Sequence, residues 1–259
     1  MGNSLRNVAA IAGKELRSYY GSPVAWVLMG VFAVVFGYFF NIYLYFFVEQ
    51  ATRGGQFGPP PAMNVNADMI RALLGNASVL VLFLLPMITM RSYSEEKRSG
   101  TIELLLTSPV TDAEITLGKF FGAVGVYAGL LAVTLVPIAT LFALGDPEWK
   151  PIVSGYLGLL LLGSSFLSLG LFVSSTTSNQ IVAGSVAFGV VLMFWIINWA
   201  ADSAGPTLAP IINYLSVTQH FDDFSRGVID TKHVVFYLSF IAFGLFLTLK
   251  SVDSERWRG

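Results

Sequence analysis

The chain of 259 residues contains no cysteine. Disulfides, thiolate chemistry and cysteine-ligated zinc are therefore excluded. Charge is scarce: Asp, Glu, Lys and Arg make up 12% of the residues, about half the share of roughly 25% in soluble domains. Histidine occurs only at His220 and His233. Neither lies in an HExxH pattern, which excludes a zincin-type protease. Both are expected in surface or interfacial roles rather than as metal ligands. No GxxxxGKS or GxxxxGKT phosphate loop occurs, so the chain is not expected to hydrolyse nucleotide itself. The formal net charge of −1 gives no electrostatic footprint for nucleic acid.

What the chain does have is apolar surface. Hydrophobic residues make up 54% and the mean hydropathy is +0.68, more than one soluble core of this size can hide. Six segments are long and apolar enough, alone or with flanking helix, to cross a bilayer, which needs about 20 residues. They are 24–48, 75–90, 118–144, 152–173, 181–201 and 234–249. An even count places both termini on one side. With the termini inside, the inner segments hold ten basic residues: Arg6, Lys14, Arg17, Arg91, Lys97, Arg98, Lys119, Lys250, Arg256 and Arg258. The outer segments hold five, namely Arg53, Arg71, Lys150, Arg226 and Lys232. The positive-inside rule then assigns both termini to the cytoplasm; the chain is expected in the cytoplasmic (inner) membrane of a bacterial or archaeal cell.

Residues 1–23 carry Leu5, Val8, Ala9, Ala12, Leu16 and Tyr19 on one helical face and Arg6, Lys14 and Arg17 on another, with Ile11 off the stripe. This predicts an amphipathic helix lying in the membrane interface. Lys14, Glu15 and Arg17 interrupt it too soon for a signal peptide. The middles of the six spans contain no Asp, Glu, Lys, Arg or His. Ion-coupled transporters usually carry ionisable ligands there, so a secondary transporter is disfavoured, as is a membrane-embedded enzyme. Asn198 is expected to make an interhelical hydrogen bond. Gly118, Gly122, Gly125 and Gly129 share one face of the third span, where small residues let helices approach closely, within the subunit or along a subunit seam. Gly30 and Gly37, and Gly163 and Gly170, form shorter stripes in the first and fourth spans. Pro86 and Pro137 are expected to kink or end their helices.

The densest charge lies at 91–117. Glu95, Glu96, Lys97 and Arg98 form a mixed-sign cluster that Gly100 ends. A short helix follows over 101–107, with an apolar stripe of Ile102, Leu105 and Leu106, and Pro109 stops it. Thr111 and Glu114 are spaced as a capping box for the third span. A second capping box is predicted at Ser216–Gln219, opening an amphipathic helix through Val217, Phe221, Phe224 and Val228, with Gly227 near its C-terminal cap. Residues 54–62, GGQFGPPPA, are expected to be extended or flexible.

The run Glu95, Glu96, Lys97, Gly100, Thr101, Glu103, Leu105, Leu106, Ser108, Pro109 and Val110, followed by Gly118 and Lys119, resembles the ABC-2 family of ABC transporter permeases. The resemblance extends along the whole chain. The late segment 214–231 is similar to permeases associated with gliding motility and with nitrous-oxide reductase maturation. It implies an all-α integral membrane fold of six transmembrane helices with an N-terminal interfacial helix, as in type V exporters. Residues 202–233 would be a re-entrant outer segment. Residues 91–117 would be the coupling loop, docking on two ABC ATPase subunits through Glu95, Glu96, Lys97, Arg98, Thr101, Glu103, Leu105, Leu106 and Pro109. The chain would be non-catalytic and hold no cofactor, with ATP and Mg bound by the ATPase. A second permease copy or a related permease would pair with it, and a periplasmic accessory protein is a further candidate partner. Export is the function implied; the alternative is ATP-driven mechanical transmission to a periplasmic machine.

Overall fold

The computed structural model describes residues 2–53, 64–106, 109–201 and 203–256. The expected extended stretch over 54–62 lies outside them. Every element among the described residues is helical. The first helix, α1 (Gly2–Gly21), is followed by α2 (Pro23–Arg53). A π-helical turn, Asn66–Ile70, leads into α3 (Arg71–Thr89). Two short helices, α4 (Ser94–Ser99) and α5 (Ile102–Leu106), precede α6 (Asp112–Leu144) and α7 (Trp149–Thr176). Then come α8 (Gln180–Ile196), α9 (Asn198–Ala201), α10 (Gly205–Leu215), α11 (Val217–Ser225) and α12 (Thr231–Arg256).

Five stretches are long and apolar enough to cross a membrane: Pro23–Thr52, Asn66–Ser99, Asp112–Ala143, Trp149–Thr176 and Thr231–Glu255. The remaining segment predicted from sequence, 181–201, the fifth, forms the 17-residue α8, then a turn at Ile197 and the short α9. Asn198 stands at that break. Its side-chain oxygen is buried with no hydrogen-bond partner among the described residues, so the expected interhelical bond through it is not made. Asn41 donates instead to the Gly37 carbonyl of its own helix, 2.8 Å away. Pro86 and Pro137 both sit inside continuous helices, and neither ends one.

Helix α7 is the axis. About 78% of its apolar window is buried, against 22% for α12 and 33% for α2. Its small residues explain this. Gly163 meets the Tyr127 ring of α6, and Gly170 meets Thr89 of α3. Where lipid tails are as apolar as the side chains, close approach of this kind holds helices together. Outward faces carry exposed apolar residues, among them Val34, Val136, Phe243 and Ile181. Gly30 and Gly37 of α2 face open space and meet nothing among the described residues.

The bundle has two distinct ends. At one, α1, α4, the start of α6 and the end of α12 converge. At the other, the starts of α3, α7 and α12 meet α11. The expected capping box at Ser216 is not formed: its hydroxyl bonds that of Thr218, 2.9 Å away, and caps no backbone amide. The expected apolar face does form. Val217, Phe221 and Phe224 are buried, whereas Val228 is exposed beyond the helix end. Gly227 takes φ 89° there, and the amides of Gly227 and Val228 bond the carbonyls of Phe224 and Asp223, each at 3.0 Å.

The glycine row of α6 faces α1. A Cβ added at Gly122 would lie 2.6 Å from the Glu15 Cβ, and one at Gly125 would lie 2.8 Å from Leu16. Gly122→Leu and Gly125→Leu should therefore each destabilise the purified protein by about 1–3 kcal/mol. Gly30→Leu, with open space around it, should be close to neutral. Thermal unfolding of the three variants in one detergent checks this; equal midpoints would mean that α1 does not rest on α6.

Candidate functional site

The site grows from the junction of α3 and α4. Helix α3 runs to Thr89, and the next turn carries Arg91, Ser92 and Tyr93 into α4. Gly100 ends α4 with φ 71°, a backbone conformation that costs glycine little. Thr111 then starts α6 with the expected capping box: its side chain accepts from the Glu114 amide, and its own amide donates to the Glu114 carboxylate.

Eight residues beyond that cap stands Lys119, whose side chain is only 2% exposed. A buried ammonium is costly unless paired and hydrogen-bonded. Here Nζ lies 3.0 Å from Glu15 Oε1 of α1 and 2.7 Å from Glu96 Oε1 of α4. It also donates to the Ser92 carbonyl at 2.7 Å and lies 5.0 Å from the centre of the Tyr93 ring. All three ammonium protons thus have acceptors, and three helices are fixed by one charge.

Further bonds surround this hub. The Tyr19 hydroxyl of α1 donates to the Ile88 carbonyl at 2.8 Å and lies 3.2 Å from Ser92 Oγ. Burial pushes its pKa up, so the hydroxyl stays a neutral donor. The amides of Tyr93 and Ser94 both donate to Ser174 Oγ of α7, at 3.1 and 3.2 Å. Tyr93 Oη is 3.1 Å from Thr116 Oγ1. Lys97 Nζ is 2.5 Å from Glu255 Oε1, which ties α4 to the end of α12. Asn7 of α1 donates to Glu114 Oε2 at 3.3 Å. Beside the hub, between α1, α2, α3 and α6, lies a cavity of roughly 340 Å³. It is lined by charged Lys14, Arg91 and Glu95 and by apolar Ala25, Leu28 and Val126. Arg91 Nε and Glu96 Oε2 are buried without a hydrogen-bond partner among the described residues, and both residues line this cavity.

The structure divides the sequence-predicted coupling residues into two groups. Glu96 and Lys97 are held by the bundle. Glu95, Arg98, Thr101, Glu103 and Pro109 are exposed, and Thr101 bonds Ser99 at 2.9 Å. Leu105 and Leu106 end α5; their side chains, and Ser108, lie outside the described residues. Leu104, between Glu103 and Leu105, is 73% exposed. Gly118, Gly122, Gly125 and Gly129 all pack against α1, meeting Ile11, Glu15, Leu16 and Tyr20 in turn. The packed face of α1 therefore includes Ile11 and Glu15, which the sequence stripe left out. Glu15 recurs four residues after Ile11 and four before Tyr19. That spacing marks it as part of the face once Ile11 is counted. Ser174 and Glu255 carry no sequence signal, because they meet α4 only through the fold.

The two histidines correct another expectation. They are not on the surface: both are buried at the opposite end of the bundle, 4% and 6% exposed.

Among known proteins, the profile of a family described as ABC-2 family transporter protein matches residues 9–248. The chain is 31% identical over 149 residues to the probable ABC transporter permease protein NosY of Pseudomonas aeruginosa. That stretch covers 53% of this chain and 54% of the relative. It is 27% identical over 119 residues to the probable multidrug ABC transporter permease YbhS of Escherichia coli, covering 46% of this chain and 31% of that protein. The chain thus spans about half of the first relative and under a third of the second.

Removing Lys119 tests the hub. Lys119→Met would leave the Glu15 and Glu96 carboxylates facing each other without a counter-charge. Breaking a buried pair this way costs on the order of 3 kcal/mol. The triple variant Glu15→Gln, Lys119→Met, Glu96→Gln should recover part of that loss, since no charge is stranded. Thermal midpoints of both variants against wild type, in one detergent, provide the measurement; a wild-type midpoint for Lys119→Met would show that the triad does not hold these helices.

Proposed function

This chain belongs to the ABC-2 family of transporter proteins, and from that premise we propose that it is the membrane permease subunit of an ATP-binding cassette transporter. The observation that carries the proposal is the Glu15–Lys119–Glu96 triad. It welds α1, α4 and the start of α6 into one body, and α4 is bonded as well to α7 and α12. A force applied to α4 and α5 from outside the bilayer would reach four long elements at once. The exposed α5, with Glu103 and Leu104 on its surface, presents the face on which a soluble ATPase would push.

In this reading two ATPase subunits bind and hydrolyse ATP with Mg, and the chain itself holds neither. Two permeases, identical or related, pair around a seam. Six helices cross the inner membrane, with α8 and α9 together making the fifth crossing, and both termini are cytoplasmic. The end bearing α4 then faces the ATPase, and the end bearing α11 faces outward. Helix α1 lies in the cytoplasmic interface with its packed face on α6. Movement of the welded body opens the bundle for export of a substrate.

Two experiments test this. The chain has no native cysteine, so single cysteines report topology directly. In intact cells an impermeant maleimide should label Gln219→Cys and spare Ser99→Cys; the reverse pattern would invert or discard the six-crossing reading. For coupling, Leu105→Asp places charge on the apolar stripe of α5 and should abolish co-purification of the ATPase, or its response to the permease. Glu103→Ala should weaken the response about tenfold or less, as for a rim contact. Normal binding and transport with Leu105→Asp would remove α5 from the coupling surface.

A further inference from the structure

At the end of the bundle opposite the triad, Asp223 of α11, His233 of α12 and His220 of α11 form a continuous chain. His233 Nε2 lies 2.7 Å from Asp223 Oδ2. The two Nδ1 atoms face each other at 2.6 Å. His220 Nε2 lies 2.9 Å from the Tyr214 carbonyl at the end of α10. Phe236 stacks on the His220 ring with centroids 3.8 Å apart, and Phe224 and Tyr237 also flank the pair.

The number of protons follows from these partners. The Tyr214 carbonyl can only accept, so His220 Nε2 carries a proton. The Asp223 carboxylate only accepts, so His233 Nε2 carries one too. The short Nδ1–Nδ1 contact needs a third between the rings. Two neutral imidazoles carry two protons in all. One ring is therefore an imidazolium, balanced by Asp223. A metal ion does not fit this gap: zinc–nitrogen bonds of 2.0–2.1 Å would hold two ligand nitrogens roughly 3.3 Å apart.

We propose that Asp223, His233 and His220 are a proton-binding site that holds one extra proton and clasps α11 to α12 while that proton is bound. The imidazolium belongs on His233, which faces the carboxylate. His220 stays neutral, its pKa lowered chiefly by burial, and accepts from His233 Nδ1. The other charges around the site come from several elements. Lys232 of α12 disfavours further protonation of His220. Asp230 pairs with Lys232 at 3.1 Å. Asp222 is engaged by Arg71 of α3 and by Arg226 of α11; Asp223 is the carboxylate hydrogen-bonded to His233, and Asp230 lies within electrostatic reach of that ring. Helix α7 brings only the exposed Lys150 near this end, and α8 offers the Trp195 carbonyl to Thr218 at 3.4 Å.

Both directions of pH undo the clasp. If the extra proton leaves, two protons must serve three bonds and one bond opens. If a second arrives, the facing Nδ1 atoms both carry protons and repel.

The chain holds two histidines in all, so the test is direct. The full chain, purified through a tag without histidine and labelled with nitrogen-15 at histidine, should give two ring spin systems by NMR in nanodiscs at pH 7. One should be doubly protonated and the other a neutral Nε2–H tautomer. In Asp223→Asn the doubly protonated ring should disappear at that pH. Two neutral rings in the wild type, or an imidazolium that persists in Asp223→Asn, would overturn the site. The wild-type spectrum decides the matter even if the variant does not fold, and it does not depend on any ATPase.

Discussion

A single ammonium group determines how one end of this bundle is built. Lys119 sits two turns inside the capped start of α6, where burial would be prohibitive without counter-charges. Its two carboxylates come from α1 and α4, elements far apart in sequence. Helix α4 is six residues long and has little apolar surface of its own, whereas α1 also packs Ile11, Leu16 and Tyr20 on α6. The position of α4 is thus fixed largely by the need to neutralise a charge, and the glycine row of α6 supplies the room for α1 to bring Glu15 close enough.

This arrangement changes how the α3–α6 connection transmits movement. A solvated loop would absorb a push. Here the first half, through α4, is bonded to four helices, whereas the second half, α5, is tied mainly to α4. Gly100 separates the halves with a left-handed backbone. The first half meets the bundle, and α5 turns Glu103 and Leu104 to the outside.

Much of this was legible in the sequence, for physical reasons that also mark its limits. The apolar runs located the long helices, because length and hydropathy decide membrane crossing. Thr111 and Glu114 located the start of α6, because capping is a local interaction. The glycine row indicated a close helix contact but not its partner, since spacing says what is permitted and not what arrives. The triad escaped notice because its members come from three segments. Glu15 was read as an interruption of an apolar stripe when it is part of the packed face. His220 and His233 looked peripheral because both lie outside the apolar spans. The fold turns the charges beside them outward or into pairs and leaves the two rings facing inward under Phe236. Ser216 had the right residue type for a cap, yet its hydroxyl found Thr218 first.

The central position of α7 bears on biogenesis. The helix against which α3 and α12 both pack emerges from the ribosome after α2, α3 and α6 have been made. The earlier helices must enter the bilayer as separately stable hydrophobic spans and wait there, with Gly163 and Gly170 not yet available to receive Tyr127 and Thr89. Insertion and assembly are therefore two events, as expected where the bilayer itself supplies the first. The contacts of α1 and α4 with α6 can form before α7 is made, but packing around the axis begins only when the fourth long helix is delivered, so the order of synthesis, and not only the final packing, shapes the route by which this chain becomes a bundle.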